Sequence, residues 1–319
     1  MKRISSFLIT VLLLFFLTAC DREASVVLMP TEPEKTEGIT ADLGEVVILF
    51  TGGLEGEFAR DTAQGALGYA ALKAYADGLK EEDKQVILID GGCALDVPGK
   101  DGLWDIVDAC GYDLRIPGIV ELASGVDALV DRSGDLRNGS YISCNLINLS
   151  DQTTVFEPYA LVELDGIQVG VVGVTDPGAL SSRESEKYGL LGSDDEQALY
   201  EAVQKAVDDA ADAGASYVIV AGNLGTAVGD SPYTTVEVIS GITGMAAWLD
   251  CGSGSVLDGD TVTDKDDFEI PVCAPGYGFR YVGQVVLNLN DGTADVKLIT
   301  ELTEEDRTVQ TLIDELKED

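Results

Sequence analysis

The residues whose types could do chemistry cluster just after apolar runs. A run ending in Phe50 leads into Thr51-Gly52-Gly53-Leu54-Glu55-Gly56, and a second run leads into Asp90-Gly91-Gly92-Cys93. Glycine after a strand lets the backbone approach a ligand closely. Glu55, Asp90, Asp96 and Cys93 could then serve as base, metal ligand or nucleophile. The glycine loop fits neither the P-loop nor the dinucleotide spacing and carries no lysine, so a phosphate cradle is not expected. A third stretch, from Asp258 to Glu269, is dense in carboxylates. It could attract Ca2+, but Val262 and Thr263 break the EF-hand order, and a solvated loop is the expectation. Of the six cysteines, Cys93, Cys110, Cys144, Cys251 and Cys273 follow Cys20 at spacings that match no zinc motif. Buried free thiols are their default state. The chain contains no histidine, which removes Ser-His-Asp and Cys-His catalysis, His-ligated zinc and histidine acid–base chemistry together.

These residues need strands and helices to hold them. Val46 to Phe50 reads as a buried strand, Ala66 to Lys80 as an amphipathic helix and Gln85 to Asp90 as a second strand. A helix over Trp104 to Cys110, a strand near Leu114, a helix near Gly125 to Asp131 and a strand from Tyr141 to Leu146 continue the rhythm of a mostly parallel sheet. Farther on, Asp165-Gly166 and Asn290-Asp291-Gly292 each separate two apolar runs and predict hairpins. A long helix is expected from Asp194 to Ala213, capped by Ser193 with Glu196 at the third position. Tyr217 to Ala221 is another buried strand, and a helix near Glu304 to Lys317 closes the chain. Two hairpins within an alternating chain predict two sheets packed face to face.

The order and spacing of these blocks, from Glu45 to Thr300, resemble the calcineurin-like metallophosphoesterases, specifically the N-terminal domain of the 5′-nucleotidase family. The resemblance implies a four-layer αββα sandwich, two mixed sheets flanked by helices, with two divalent metal ions at the strand ends. It also implies where ligands should stand. The family's strand followed by His-Thr-Asn-Asp-x-His-Gly aligns with Phe50 to Gly56, placing Gly53 at the metal-binding Asp and Glu55 at the His. Its Asp-Ala-Gly-Asp aligns with Asp90 to Cys93, so the bridging Asp is Cys93. Its Gly-Asn-His-Glu block aligns with Gly118 to Glu121, putting Ile119 and Val120 at the Asn ligand and the catalytic His. Pro158-Tyr159 and the run from Gly166 to Gly173 match the family hairpin well. Asn223 replaces the next His, and Gly252 and Gly254 replace both histidines of Gly-His-Ser-His. Gly, Ile and Val offer no donor atom, and Glu55, Cys93 and Asn223 do not make the family's set. No cofactor and no turnover by the family mechanism are therefore expected. Under the same resemblance, Cys93, Cys144, Cys251 and Cys273 would face the vacated site as a thiol cluster. A Cys93–Cys251 disulfide and a soft-metal site remain open there beside free thiols. The family's C-terminal nucleotide-recognition domain has no counterpart in the expectation.

The N-terminus carries a separate signal. Met1-Lys2-Arg3, an apolar run from Phe7 to Leu17 and then Leu17-Thr18-Ala19-Cys20 form an export signal with a small-residue cleavage site, too short to span a membrane. The last four residues resemble a bacterial lipobox, which implies cleavage after residue 19 and lipid on Cys20. The expected organisation is a signal peptide at 1–19, a tether at 20–44 rich in Pro, Glu, Lys and Thr, and one domain at 45–319 outside the cell membrane. With a hydrophobic fraction of 45% the domain can build a core, and a net charge of −37 opposes binding to nucleic acid. Two functions follow from the resemblance. In the first, a non-catalytic lipoprotein binds a ligand or an envelope partner. In the second, a phosphoester hydrolase works through a rebuilt site drawn from Glu55, Asp90, Cys93, Asp96 and Asn223.

Overall fold

The computed structural model describes residues 43–54, 56–94, 102–164, 166–227, 229 and 231–318. The export signal, Cys20, most of the tether, Glu55 and Asp96 lie outside the described residues. Among those described, no helix is long and apolar enough to cross a membrane. In chain order, β1 (Glu45–Thr51) leads through α1 (Tyr69–Glu81) to β2 (Gln85–Asp90), α2 (Leu103–Cys110) and β3 (Leu114–Arg115). Next come α3 (Ile119–Ala123), α4 (Val126–Ser133), β4 (Ser140–Tyr141) and β5 (Leu146–Asn148). The hairpin of β6 (Tyr159–Leu164) and β7 (Ile167–Val174) precedes β8 (Tyr188–Leu190), α5 (Glu196–Asp212), β9 (Tyr217–Gly222), α6 (Thr235–Gly241) and β10 (Ala247–Asp250). The remainder is β11 (Val256–Thr263), β12 (Glu269–Pro275), β13 (Val282–Asn288), β14 (Ala294–Ile299) and α7 (Arg307–Glu318).

Two six-stranded sheets result, ordered β14-β13-β1-β2-β3-β4 and β11-β12-β10-β9-β7-β6. The centre of each is parallel; antiparallel strands flank it at the β14-β13 side of the first sheet and at both edges of the second. Period-two alternation explains why the central strands read as unbroken apolar runs: each strand buries both faces. Val46, Ile48 and Phe50 point into a core between the sheets, where Val169, Val171, Ile219 and Leu249 meet them. Val47 and Leu49 point the other way, into a layer with Leu72 of α1, Ile106 of α2 and Ile313 of α7. On the far side Val172 and Val174 pack under Leu199, Val203 and Val207 of α5. The layers therefore run helix, sheet, sheet, helix, the expected αββα sandwich.

Several boundaries differ from the sequence reading for local reasons. The first helix starts at Tyr69 and not at Ala66, because Ala66 bridges back to Asp61 and Gly68 takes φ +82 with Arg60 N 2.5 Å from where its Cβ would be. Asp195, not Ser193, caps α5, accepting from Gln197 N–H at 3.1 Å. The strand expected over Tyr141 to Leu146 is broken between β4 and β5. There the Ser143 and Thr175 hydroxyls bond at 2.7 Å, and Asn145 accepts from Thr175 N–H and donates to Thr175 O, a buried polar knot that replaces ladder bonds. The carboxylate stretch read as a loop is mostly the β11–β12 hairpin. Its acidic side chains line an exposed strand, a pattern without the apolar alternation that marks one.

Candidate functional site

The parallel strands end together, the place where open α/β sheets put their ligands. From β1 come Gly52 and Gly53, from β2 Gly91 to Cys93, and from β3 the turn to Gly118. The second sheet adds Asn223 after β9, Cys251 to Gly254 after β10 and Gly276-Tyr277 after β12. The sequence-expected positions are thus brought to one end of the sandwich, apart from Glu55, which lies outside the described residues.

Gly53, Gly252, Gly254, Asn223 and Cys93 are each already filled or committed. Gly53 has φ +58, and a Cβ built there would sit 2.2 Å from Cδ1 of Tyr277. A Cβ on Gly254 would sit 3.2 Å from Cε2 on the opposite edge of the same ring. The Tyr277 hydroxyl donates to Gly252 O at 2.8 Å. An aromatic ring therefore stands between the places where the resemblance puts an Asp and a His ligand. Gly252 faces backbone, its virtual Cβ 2.4 Å from Asn223 C and O. Over the ends of β1 and β2 lies the buried Cys251 thiol, 2.2 Å from a virtual Cβ on Gly91. Burial pushes that thiol well above its ordinary pKa, with Asp250 next in effect.

Asn223, buried, is a cross-link between loops. Its Nδ2 donates to Gly91 O at 3.2 Å and to Pro117 O at 3.0 Å, while its Oδ1 accepts from Asp176 N–H at 2.6 Å. The buried Glu121 carboxylate does the same for the first sheet, accepting from the N–H groups of Cys93 (2.9 Å), Ala94 (3.0 Å) and Gly118 (3.0 Å). Cys93 is held at φ +59, and burial, then Glu121, push its thiol up to about 12. A thiol so shifted is protonated at neutral pH and is a poor nucleophile. Ile119 is half-exposed at the start of α3 and Val120 follows it, so neither position offers a polar group.

Charge within the first sheet belongs to a buried pair. Burial raises Asp90 to about 6, with Arg115 pulling it down and Glu121 pushing it up. Its Oδ1 accepts from Gly92 N–H at 3.0 Å and its Oδ2 lies 3.9 Å from Arg115 Nη1. Fully buried Arg115 also reaches Asp108 at 3.6 Å and stands over the Trp104 and Tyr112 rings. In the second sheet Asp250, raised to about 6 by burial, accepts from Thr235 Oγ1 at 2.7 Å and from Gly252 N–H at 2.9 Å.

The expected thiol cluster is not assembled. Cys251 and Cys273 sit in the core between the sheets, whereas Cys144 sits in the core under α5, and all five described cysteines are free. Nor do the carboxylates of residues 258–269 converge. Asp258 accepts from Leu298 N–H, and Asp264 folds back onto Asp266 and Phe268 N–H to shape the hairpin turn. Among the described residues no three Cys, Asp or Glu side chains form a metal-binding group. The residues present do not fit the family's two metals: five of the eight aligned positions have no donor atom, and Tyr277 fills the volume between two of them. Sequence reasoning missed Tyr277 and Arg115. The available signal was an aromatic flanked by two glycines directly after an apolar run.

The fold is that of the calcineurin-like phosphoesterases of the 5′-nucleotidase type. Solved structures with this architecture include the calcineurin-like phosphoesterase YfkN of Bacillus subtilis, with a TM-score of 0.65 at 17% identity over 86% of this chain and 97% of that one. A 5′-nucleotidase precursor of Thermus thermophilus gives a TM-score of 0.68 at 18% identity, covering 86% of this chain and 58% of that one. The sulfate thiohydrolase SoxB of the same organism gives 0.68 at 16% identity, covering 86% and 60%. Among curated proteins, a 5′-nucleotidase of Vibrio parahaemolyticus is 29% identical over 142 residues, 41% of this chain; the match spans 25% of that protein's own length. No family model matches the chain.

Proposed function

We propose that this protein is a lipid-anchored, non-catalytic relative of the 5′-nucleotidase phosphoesterases whose cleft binds a ligand or an envelope partner. The observation that carries the reading is Tyr277, whose ring stands between Gly53 and Gly254 where metal ligands would have to project. Hydrolysis in this fold class needs cations to activate water and neutralise phosphoryl charge. The aligned positions among the described residues, glycine, valine, isoleucine, an asparagine committed to backbone and a protonated thiol, are a poor set for holding such cations. The anchor adds direction. Counted from the proposed lipid on Cys20, the tether enters at Glu45, the start of β1, and β1 spans roughly 20 Å to the cleft at Thr51. The cleft therefore lies at the opposite end of β1 from the point where the tether joins. Elemental analysis of the purified protein after incubation with Mn2+, Zn2+ or Ca2+ tests the reading: no stoichiometric metal is expected, and two bound ions per chain would overturn it.

A further inference from the structure

A groove of about 310 Å³ runs along α1, between that helix and the segment that follows β14. Because α1 joins the cleft end of β1 to the start of the parallel strand β2, the groove leads from Ala71 toward Glu82 at the end of the sandwich opposite the cleft. Both walls are held. Asp306 N–H bonds Ala70 O at 2.8 Å, and Arg60, ion-paired with Glu305 at 3.2 Å, also bonds Leu302 O. The Tyr75 hydroxyl donates to Gln284 Oε1 at 2.8 Å, which ties the ring to β13. The floor is small and apolar, made by Ala71, Ala74, Leu79 and the buried Leu302. Gly78 keeps it open. This glycine stands inside α1 without positive φ, and a Cβ built on it would meet nothing within 4 Å. Alanine would fit there and would strengthen the helix, so neither backbone conformation nor packing calls for glycine. What the glycine provides is the space above it.

The rim carries charge of one sign. Glu82, Glu301 and Glu304 stand on it, exposed, and no lysine or arginine lines the groove. Arg60 is taken by Glu305 and Lys73 by Asp77, and among the described residues none of the three rim carboxylates has an ion-pair partner. Burial, and next Glu82, hold the Tyr75 phenol above its ordinary pKa, which sets that carboxylate's charge near the ring.

We infer that this groove is a binding site for a small organic cation, an ammonium group carried on an apolar chain. The chain is covered by alanine, glycine and leucine, which removes apolar surface from water. The ammonium meets an aromatic ring and carboxylates together, and each attracts it. An anion on the same chain is repelled by all three carboxylates, and a neutral chain gains only the apolar contact. The volume stands at the low end of the roughly 300–1,000 Å³ range of ligand pockets, which suits a molecule of this size.

Titration of the purified full chain with hexylammonium, 1-hexanol and hexanoate at physiological ionic strength tests the site, since the three share a chain and differ in charge. Hexylammonium should bind saturably, one per chain and about tenfold more tightly than 1-hexanol, and hexanoate should not bind. Gly78→Leu puts a side chain into the groove on a helix that it strengthens. That variant should unfold no more easily than the parent, yet lose hexylammonium affinity by about tenfold or more. Glu82→Gln, Glu301→Gln and Glu304→Gln combined should lose about as much. Neutralising three exposed carboxylates elsewhere, by Asp131→Asn, Glu163→Gln and Asp212→Asn, should leave the affinity within about twofold, because general attraction to an acidic chain is screened by salt. No saturable binding, equal affinity for hexylammonium and 1-hexanol, binding kept by Gly78→Leu, or equal losses in the two triple variants would overturn the inference.

Discussion

Gly53→Asp restores the residue type that the phosphoesterase resemblance places at this position, and its cost can be worked from two local terms. An L-residue at φ +58 costs about 1 kcal/mol. The new Cβ, 2.2 Å from Tyr277 Cδ1, must also expel the ring. Expulsion forfeits the bond to Gly252 O, about 1 kcal/mol, and the ring's partial burial, about 1 kcal/mol more. The single variant should therefore lose about 3 kcal/mol. Tyr277→Gly alone loses the ring terms, about 2 kcal/mol, together with the added chain entropy of glycine. In the double variant the ring is lost only once, so its cost should fall short of the sum by about 2 kcal/mol. Urea unfolding of the four proteins, with constant m-values, measures this coupling directly. Costs that add to within about 0.5 kcal/mol would refute the claim that the Tyr277 ring fills the former ligand volume.

Asn223→Leu leaves Gly91 O, Pro117 O and Asp176 N–H without their buried partner, and urea unfolding should show a loss of about 3 kcal/mol; a loss under about 1 kcal/mol would mean the loops are pinned elsewhere. Gly252→Ala should destabilise by more than about 2 kcal/mol, since its Cβ meets the Asn223 backbone at 2.4 Å, whereas Gly254→Ala, at 3.2 Å from a ring that can shift, should cost under about 1 kcal/mol in the same measurement. Asp90 and Asp250 both stand at about 6 in the folded protein against an ordinary 3.8, so the folded state holds their protons more tightly than the unfolded one. Stability should accordingly fall as pH rises from about 4 to about 6, by about 3 kcal/mol for each group. Thermal midpoints should be higher at pH 5 than at pH 7, with the gap narrowed by Asp250→Asn.

The strands that bury both faces were legible because Val, Ile and Leu runs bounded by glycine admit little else: β1, β2 and β9 fall within a residue of where the sequence puts them. The end of the sandwich where the aligned positions gather was legible too, since block order and glycine spacing mark the turns after the parallel strands. What fills the space was not. Tyr277 is 224 residues from Gly53 in sequence, and only the return of β12 beside β10 brings its ring to the end of β1. The thiol cluster failed for a related reason. Cys144 lies in the broken segment between β4 and β5, where Ser143, Asn145 and Thr175 bond to one another and turn the chain toward the α5 layer. The β11–β12 hairpin escaped notice because its outer strand is solvated on both sides, so its residues carry no apolar period.

The most direct test of the account is hydrolysis of AMP, and of a generic aryl phosphate, by the purified protein with Mn2+, Zn2+ or Ca2+ present, compared with Glu55→Ala. No turnover above the rate without protein is expected, and no difference between the two chains. Metal-dependent turnover that disappears in Glu55→Ala would contradict it and place a working hydrolytic site in the cleft.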